Sequence, residues 1–303
     1  MGKAAIAVAA IAAAGFLAHS QMSDEEESVA SSSITQAESA TSAEERIPLP
    51  GPVKLVWHRD PGEVHRVHSV ERVTMDARPD TPEIPAQHQE GINESVYIHR
   101  VTETGDDGSV VVEMVEYDVD GSPTGVRRVM WVEPPGRITR VDEVRGDSDV
   151  SQRLFTETVA MALSGFPEGP ILPGESWTQE IVNPRFPEAR VVAVSTLERL
   201  EERAGRAVAV ISREMNLEIP TAIPWPSMVD NDPSMHAEIS GVRAHTTMES
   251  QLLLDGMVPL QEIYQVELES RAHVTGQTPD GPLDITGSVA LRIEGEMNLI
   301  PGG

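Results

Sequence analysis

The chain has no cysteine, almost no lysine and few aromatic residues. The absence of cysteine from all 303 residues excludes disulfides, thiolate metal sites, cysteine nucleophiles and a lipid-modified N-terminal cysteine. Lys3 and Lys54 are the only lysines, and the formal net charge is −26. Such a surface repels a polyanion, and no basic patch is interleaved with aromatic residues. Nucleic acid is therefore not an expected partner, and the acidic surface would suit a salty medium.

Residues 1–20 have the pattern of a secretory signal peptide. Lys3 supplies the positive charge, an apolar run extends from Ala4 to Ala18, and small residues stand three and one positions before a cut after Ser20. The alternative is an uncleaved anchor, but the run is shorter than the roughly 20 apolar residues that a membrane-spanning helix needs. The pattern favours cleavage and predicts a periplasmic or extracellular protein that is not an integral membrane protein.

Residues 21–50 are predicted to form a disordered tether. The segment is acidic, rich in serine and alanine and free of aromatic residues, so it cannot bury enough apolar surface to offset chain entropy. Three prolines within "IPLPGP" (47–52) then stiffen the entry to the folded part.

From Val53 onward, apolar and polar residues mostly alternate, which is typical of strands with one buried face. In the clearest run the apolar residues share one parity: Leu260, Tyr264, Val266, Leu268, Ala272 and Val274. The pattern predicts a mainly β protein with one or more curved antiparallel sheets. We expect two β units, 51–148 and 166–303, packed together as one domain.

The two predicted units have similar segments. "VHSVERV" (67–73) resembles "VSTLERL" (194–200), and "LPG" precedes a tryptophan-bearing segment at Leu49 and again at Leu172. These similarities are consistent with an ancient duplication. Chance similarity among valine-rich strands is the alternative.

One helix is predicted between the two units, over residues 149–165. Asp149 is suited to the N-cap, Gln152 follows three residues later, and Gly165 with Pro167 ends the helix. A lone helix of this length is marginal in water, so we expect it to pack on a sheet.

The segment "LLLDGMVPL" (252–260) predicts a hairpin. A three-residue loop, 254–256, matches the apolar faces of the flanking strands, with Gly256 in the left-handed conformation. This loop places Ala244 opposite Val266 and Val242 opposite Leu268. Arg243 is then expected to face Glu267.

The stretch "FPEGPILPGESW" (166–177) contains a turn followed by a tryptophan. Pro173 and Gly174 occupy the two central positions of a predicted type II turn, in which glycine supplies the positive φ. Trp177 begins the next strand, and its large ring is expected to fix the docking of this unit to the helix. We therefore interpret Trp177, Pro173 and Gly174 as a structural anchor.

This stretch resembles uncharacterised secreted bacterial β-rich families that share a proline-rich turn, a Gly-acid-Ser/Thr-Trp motif and a following strand. The resemblance covers about a dozen residues, implies a β-rich fold and carries no activity or catalytic residue. A helix set against a curved sheet also resembles, in architecture alone, the half-barrel lipoprotein carriers of the periplasm.

Two segments contain residue types that can ligate a metal ion. Asp118 to Gly125 alternates oxygen-bearing residues like a short calcium loop, but it has no closing bidentate glutamate, so a hairpin turn is the favoured interpretation. His58, His65 and His68 flank a turn, but His65 and His68 are three residues apart and point to opposite faces of a strand. Neither pattern predicts a cofactor.

The segment 219–235 is a long connection rich in proline and apolar residues. Loops of this length often serve as lids or binding surfaces. The predicted ligand or partner contacts are Ile223, Trp225, Met228, Val229 and Met235. The alternative is that the loop folds back and Trp225 covers one end of the sheet.

These observations favour a non-catalytic exported binding or carrier module for an apolar ligand or an envelope protein. The first alternative is a structural or interaction protein of the cell envelope without a small ligand. A hydrolase with a carboxylate pair comes third, because no positioned catalytic constellation is visible in the sequence.

The signal peptide generates a first prediction. Expressed in a bacterium with an intact export pathway, the protein should be recovered outside the cytoplasm with Gln21 as its first residue, because small side chains precede the cut. N-terminal sequencing or intact-mass measurement checks this. Recovery of the uncut chain in the membrane fraction would instead favour the anchor.

Overall fold

The computed structural model describes residues 47–57, 59–144, 157–161, 164–183, 187–225, 234–278 and 281–300. The predicted signal peptide and most of the predicted tether lie outside these ranges. The described chain is mostly extended. Its strands are β1 (Ile47–Pro48), β2 (Val64–Pro79), β3 (Gln87–Thr104), β4 (Val110–Asp118), β5 (Pro123–Glu133), β6 (Arg137–Val144), β7 (Ser176–Ile181), β8 (Arg190–Arg203), β9 (Arg206–Ile219), β10 (Ile223–Pro224), β11 (Met235–Leu253), β12 (Val258–Thr278) and β13 (Gly281–Leu299).

All thirteen strands belong to one curved antiparallel sheet, which confirms the predicted fold class. The order across the sheet is β1, β8, β9, β11, β12, β13, β2, β3, β4, β5, β6, with β7 beside β8 and β10 beside β11. Strands β2 to β6 form one meander, and the long strands from β8 to β13 form another. The two meanders join where β13 pairs with β2, so the two predicted units share a single sheet.

The sequence similarity between the two units does not match strand for strand. "VHSVERV" lies in β2 and "VSTLERL" in β8, the first long strand of each meander. Each of these segments is followed along the chain by a valine-rich strand that begins after a glycine. The one after Gly108 is β4, the third strand of its meander. The one after Gly205 is β9, the second strand of the other.

One face of the sheet is buried, and we call it the core face; the opposite side is the open face. In β13 every second residue from Leu283 to Ile293 is buried, whereas the residues between them are mostly exposed. The largest core cluster draws on β2 and on strands from β7 to β13. Val159 and Met161, from the short helical stretch 157–161, pack against this cluster.

The helical stretch connects the two edges of the sheet. Glu157 is buried, and its carboxylate accepts hydrogen bonds from the Val141 amide of β6 (3.3 Å) and from the Asn183 side chain just beyond β7 (3.3 Å). The Ser164 hydroxyl accepts a further bond from the Ile138 amide of β6 (2.9 Å). Unpaired edge amides are thereby satisfied by side chains. The rest of the predicted helix lies mainly outside the described residues.

The predicted register of the β11–β12 hairpin is wrong by two residues. Ala244 lies opposite Leu268 rather than Val266. The turn occupies four residues, 254–257, and a register shift directly after Pro259 adds Leu260 to β12. The extra turn residue and the bulge residue together shift the register by two. Apolar residues of the two strands therefore still lie on the same face, as they would with the predicted three-residue loop. Alternation is visible in the sequence, but the extra residue of a bulge is not.

Gly295 of β13 lies beneath the ring of Tyr264. The two residues are direct cross-strand partners, and a Cβ added to Gly295 would stand 2.2 Å from Cζ of Tyr264. The tyrosine therefore crosses β13 and donates its hydroxyl hydrogen to Glu71 of β2. A glycine inside a strand is explained here by this close approach.

This contact predicts that Gly295→Ala destabilises the protein by about 1–3 kcal/mol, the usual cost of overpacking a core. Chemical denaturation checks the value. Gly91→Ala is the matched control, because a Cβ at Gly91, also inside a strand, would meet no atom within 4 Å. Equal stability of the two variants would contradict the steric explanation.

His99 is a core-face histidine of β3, opposite His65 and Met114. Desolvation, followed by the positive charges of Arg59, His65 and Arg128, lowers its pKa to about 4. The folded protein therefore favours neutral imidazole. Its contribution to stability is present above the unfolded pKa of about 6.5 and is lost as the pH falls through about 4.

The expected consequence is a pH-dependent difference between the wild type and His99→Gln. Between pH 6.5 and 4 the wild type should lose on the order of 2 kcal/mol more unfolding free energy than the variant. Urea denaturation at several pH values measures this difference. His236→Gln, at an exposed position of β11, is the control and should follow the wild type. Parallel curves for all three proteins would contradict the assignment.

Candidate functional site

A groove with a volume of about 990 Å³ crosses the open face of the sheet. Strand register aligns fourteen of its lining residues in two rows on the open face, perpendicular to the strands. The other four, Arg213, Met248, Tyr264 and Gly295, occupy the core-face positions between these rows. We call this groove the transverse groove. One row consists of Val194, Glu214, Thr247, Gln265, Glu294, Arg72 and Ile92; the other consists of Thr196, Ser212, Glu249, Ile263, Glu296, Val70 and Glu94.

The transverse groove is long and narrow. It crosses seven strands, from β8 to β3, and neighbouring strands lie about 4.8 Å apart, so it extends about 29 Å along the sheet. A helix of about 20 residues has a length of about 30 Å. The groove therefore has the length of an ordinary amphipathic helix.

Four β-branched aliphatic side chains in the groove are exposed. Val70, Ile92, Val194 and Ile263 have between 37% and 57% of their surface accessible. Single exposed aliphatic residues are ordinary, but several within one groove mark a surface suited to contact with a partner.

The rim of the transverse groove is negative. Five glutamates line it, against Arg72 on the open face. Glu296 accepts hydrogen bonds from the side chains of Asn298 and Gln261, each 2.9 Å long, and these bonds lower its pKa. Its ionised form is thereby favoured, and the groove offers negative charge beside its aliphatic residues.

A second cavity of about 730 Å³ lies one side-chain row further along the same face. Val192, which lines this cavity, is exposed and stands two residues before Val194 of the transverse groove. Four glutamates line this cavity, together with Arg190, Arg243 and His245. The acidic, partly apolar character of the open face therefore continues beyond the transverse groove.

The core face at the same level of the sheet is polar rather than aliphatic. Ser95 donates to Glu116 (3.0 Å), and Ser250 donates to Glu262 (3.1 Å). Burial raises the pKa of Glu262 and of Tyr264. This polar row separates the largest apolar cluster from the smaller ones toward the other end of the sheet.

A third cavity of about 590 Å³ lies at the end of the sheet, beside the β11–β12 turn. The buried Arg59 side chain donates to the carbonyls of Gly256 (3.2 Å) and Met257 (3.4 Å), and Gly256 has the predicted positive φ, 77°. His65 and Glu63 are hydrogen-bonded, with Nε2 and Oε1 2.5 Å apart. Charges of both signs line the cavity, so its electrostatics favour no single class of ligand.

The predicted contact residues lie on the core side, away from the transverse groove. Ile223, Trp225 and Met235 are buried in the largest core cluster, whereas Met228 and Val229 lie outside the described residues. Ile223 pairs with Ile239 of β11, and the Trp225 amide donates to the Ala237 carbonyl (2.7 Å). Contact between this segment and a ligand stays a prediction.

The predicted anchor lies at the start of β7. Gly174 has a φ of 88°, and the Glu175 amide donates to the Leu172 carbonyl (3.0 Å), as a turn of this kind requires. Trp177 is half-buried and packs against the cluster that contains Phe166.

Residues of the two segments with possible metal ligands form hydrogen bonds to other protein groups. His68 pairs with Glu94 (2.7 Å), and the amide of Gly121 donates to the Asp118 carbonyl (2.9 Å) within the β4–β5 turn. His58 lies outside the described residues. Within the described ranges, no group of three or more histidines and carboxylates could hold a metal ion. In the same part of the chain, no helix has the length and apolarity needed to cross a bilayer.

Reasoning from the sequence missed the transverse groove. The sequence does contain an indication of it. Four apolar residues stand at strand positions that otherwise hold mostly polar residues: Val70, Ile92, Val194 and Ile263. Each is unremarkable within its own strand. Only the register across seven strands brings them into one groove.

Comparisons with known proteins assign no family. No family model and no curated protein matches the chain. Among solved structures, it is similar to OmpT, an outer membrane protein of Vibrio cholerae (10% identity, 81% of this chain, 99% of that chain, TM-score 0.23). It is also similar to an outer membrane channel from Pseudomonas putida F1 (7% identity, 83% and 100%, TM-score 0.20). At such TM-scores the similarity assigns neither a fold family nor a function.

Proposed function

We propose that this protein is an exported, non-catalytic binding module whose transverse groove holds an elongated envelope partner with apolar and positively charged side chains. The observation that carries the proposal is the two-row groove with exposed aliphatic residues between glutamates. Export is supported by the signal-peptide pattern of residues 1–20.

Burial of the exposed aliphatic residues supplies the attraction. Val70, Ile92, Val194 and Ile263 are spread along the whole groove, so a partner must be elongated to cover them all. Covering apolar surface contributes roughly 25 cal/mol per Å², less the cost of ordering both partners. A compact small molecule would reach only part of this surface.

The charge of the rim selects the partner. Glu214, Glu249, Glu294 and Glu296 stand on both rows, so cations along an apolar segment would find carboxylates on either side. Complementary potentials speed association and exclude like-charged partners. A second copy of this chain, with a net charge of −26, and its own acidic segment 21–45 are both repelled.

The orientation of the groove favours a helical partner. Because the groove runs across the strands, a segment in it lies perpendicular to them and cannot extend the sheet by backbone pairing. A helix satisfies its own backbone hydrogen bonds and presents side chains at positions i, i+3, i+4 and i+7. An amphipathic, basic helix therefore fits the length, direction and charge of the groove.

Binding of a designed peptide tests this proposal. The probe is a fluorescent peptide of about 20 residues with leucines on one helical face and lysines on the other. Ile263→Asp should weaken its binding at least tenfold, because a carboxylate replaces the apolar contact at the groove centre. Fluorescence anisotropy measures the affinity. Val119→Asp, at an exposed position in the β4–β5 turn, adds the same charge elsewhere and is the matched control.

A second peptide separates specific docking from general attraction to an acidic protein. It carries the same lysines but has serine in place of leucine, and it should bind at least tenfold more weakly than the first peptide. Equal binding of the two peptides, or equal loss in Ile263→Asp and Val119→Asp, would overturn the groove as the site.

A further inference from the structure

One row of the transverse groove alternates acidic and β-branched aliphatic residues on five neighbouring strands. In strand order from β11 to β3, these residues are Glu249, Ile263, Glu296, Val70 and Glu94. Each residue is the direct cross-strand partner of the next. Because neighbouring strands lie about 4.8 Å apart, a carboxylate recurs about every 9.6 Å with one aliphatic side chain between. We call this row the acid–aliphatic ladder.

The three carboxylates of the ladder have no arginine partner among the residues that the structure describes. Glu296 accepts hydrogen bonds from two neutral amide side chains, and Glu249 accepts one from the Gln251 side chain (3.5 Å). Glu94 lies 2.7 Å from a ring nitrogen of His68, which carries a charge only when it is protonated. Neutral donors leave the charge of a carboxylate in place, so the ladder keeps its negative charge for a partner.

The opposite row of the groove differs in pattern and in charge. Its exposed aliphatic residues, Val194 and Ile92, stand at its two ends rather than in alternation. Its Glu294 is ion-paired with Arg292 (2.7 Å), and Arg72, the cross-strand partner of Glu294, adds a second positive charge. Permanent cations therefore offset negative charge in this row, whereas the ladder has none.

An α-helix presents side chains with nearly the spacing of the ladder. Residues at i, i+3 or i+4, and i+7 share one face, so successive side chains on that face are about 5.3 Å apart along the axis. Each of them can meet one strand. From Glu249 to Glu94 the difference between the two spacings accumulates to about 2 Å, which a flexible lysine stem absorbs. An extended segment places its same-face side chains about 6.8 Å apart and does not keep step with the strands.

We propose that the ladder recognises a sequence pattern in its helical partner: basic residues about seven positions apart, with an aliphatic residue midway between them on the same face. This inference rests on the proposed function, because it specifies the partner of the same groove. Each cation then meets a carboxylate, and each aliphatic residue meets Ile263 or Val70. A cation displaced by half a repeat faces an aliphatic side chain, and it loses water without gaining an ion pair.

Two isomeric fluorescent peptides test the pattern. Both are alanine-rich helices of about 20 residues that carry three lysines and two leucines on one face. In the first peptide lysine and leucine alternate along the face, and in the second the lysines precede the leucines. The alternating peptide should bind the wild type about fivefold more tightly, because only it matches all five strands of the ladder. Fluorescence anisotropy measures both affinities.

Substitutions in the protein separate the ladder from the general charge of the groove. The double variant Glu249→Gln with Glu296→Gln should bind the alternating peptide about fivefold more weakly than the wild type, because two ion pairs are lost. The matched control is Glu214→Gln with Glu294→Gln, which makes the same change in net charge on the opposite row. The control should lose less than about twofold, because Arg292 already neutralises Glu294.

The outcomes distinguish this inference from the proposed function. Equal binding of the two isomers to the wild type, or equal losses in the two double variants, would overturn the ladder. If the peptide with leucines and lysines on opposite faces still bound, the groove would remain the site of a basic amphipathic helix. Failure of all three peptides to bind would overturn the proposed function as well.

Discussion

The contact on which the fold depends is the one between Glu157 and both edges of the sheet. A broad one-sided sheet has one apolar face and two edges of unpaired backbone groups, and both must be removed from water. The carboxylate of Glu157 accepts from the Val141 amide at one edge and from Asn183 beyond the other. The same short segment therefore accepts a hydrogen bond from one amide of β6, contacts the residue that lies beyond β7, and places Val159 and Met161 against the largest core cluster.

Strand register then determines which side chains lie beside one another, and which lie behind them on the opposite face, at each level of the sheet. Residues one position apart point to opposite faces, so the polar core-face row with Glu71, Arg213 and Tyr264 lies directly behind the transverse groove. Gly295 makes room in that row for the tyrosine ring. The polar row and the acidic groove place ionisable groups on both faces at one level of the sheet, beside the largest apolar cluster, against which Tyr264 packs.

Much of the architecture could be predicted because alternation is local. The period of two identified long strands, and Gly174 and Gly256 were correctly assigned to turns, since both need positive φ. The pairing of Ala244 was predicted two residues away from its true partner, because the turn is one residue longer than predicted and the register shift after Pro259 inserts another residue without any distinctive signal. The candidate groove was missed for a related reason, as Ile92 and Val194 lie on strands six positions apart across the sheet.

The sequence by itself determined the one-sided strands, the acidic surface and the exclusion of thiol chemistry, because composition and period are properties of the chain alone. Tertiary structure alone decided which strands are neighbours, since β13 and β2 meet from opposite ends of the chain. It also decided that Trp225 is buried and that Arg213 faces the core without a hydrogen-bonding partner in the described part of the protein. Non-local pairing sets the position of every side chain relative to those on other strands, and no local pattern encodes it.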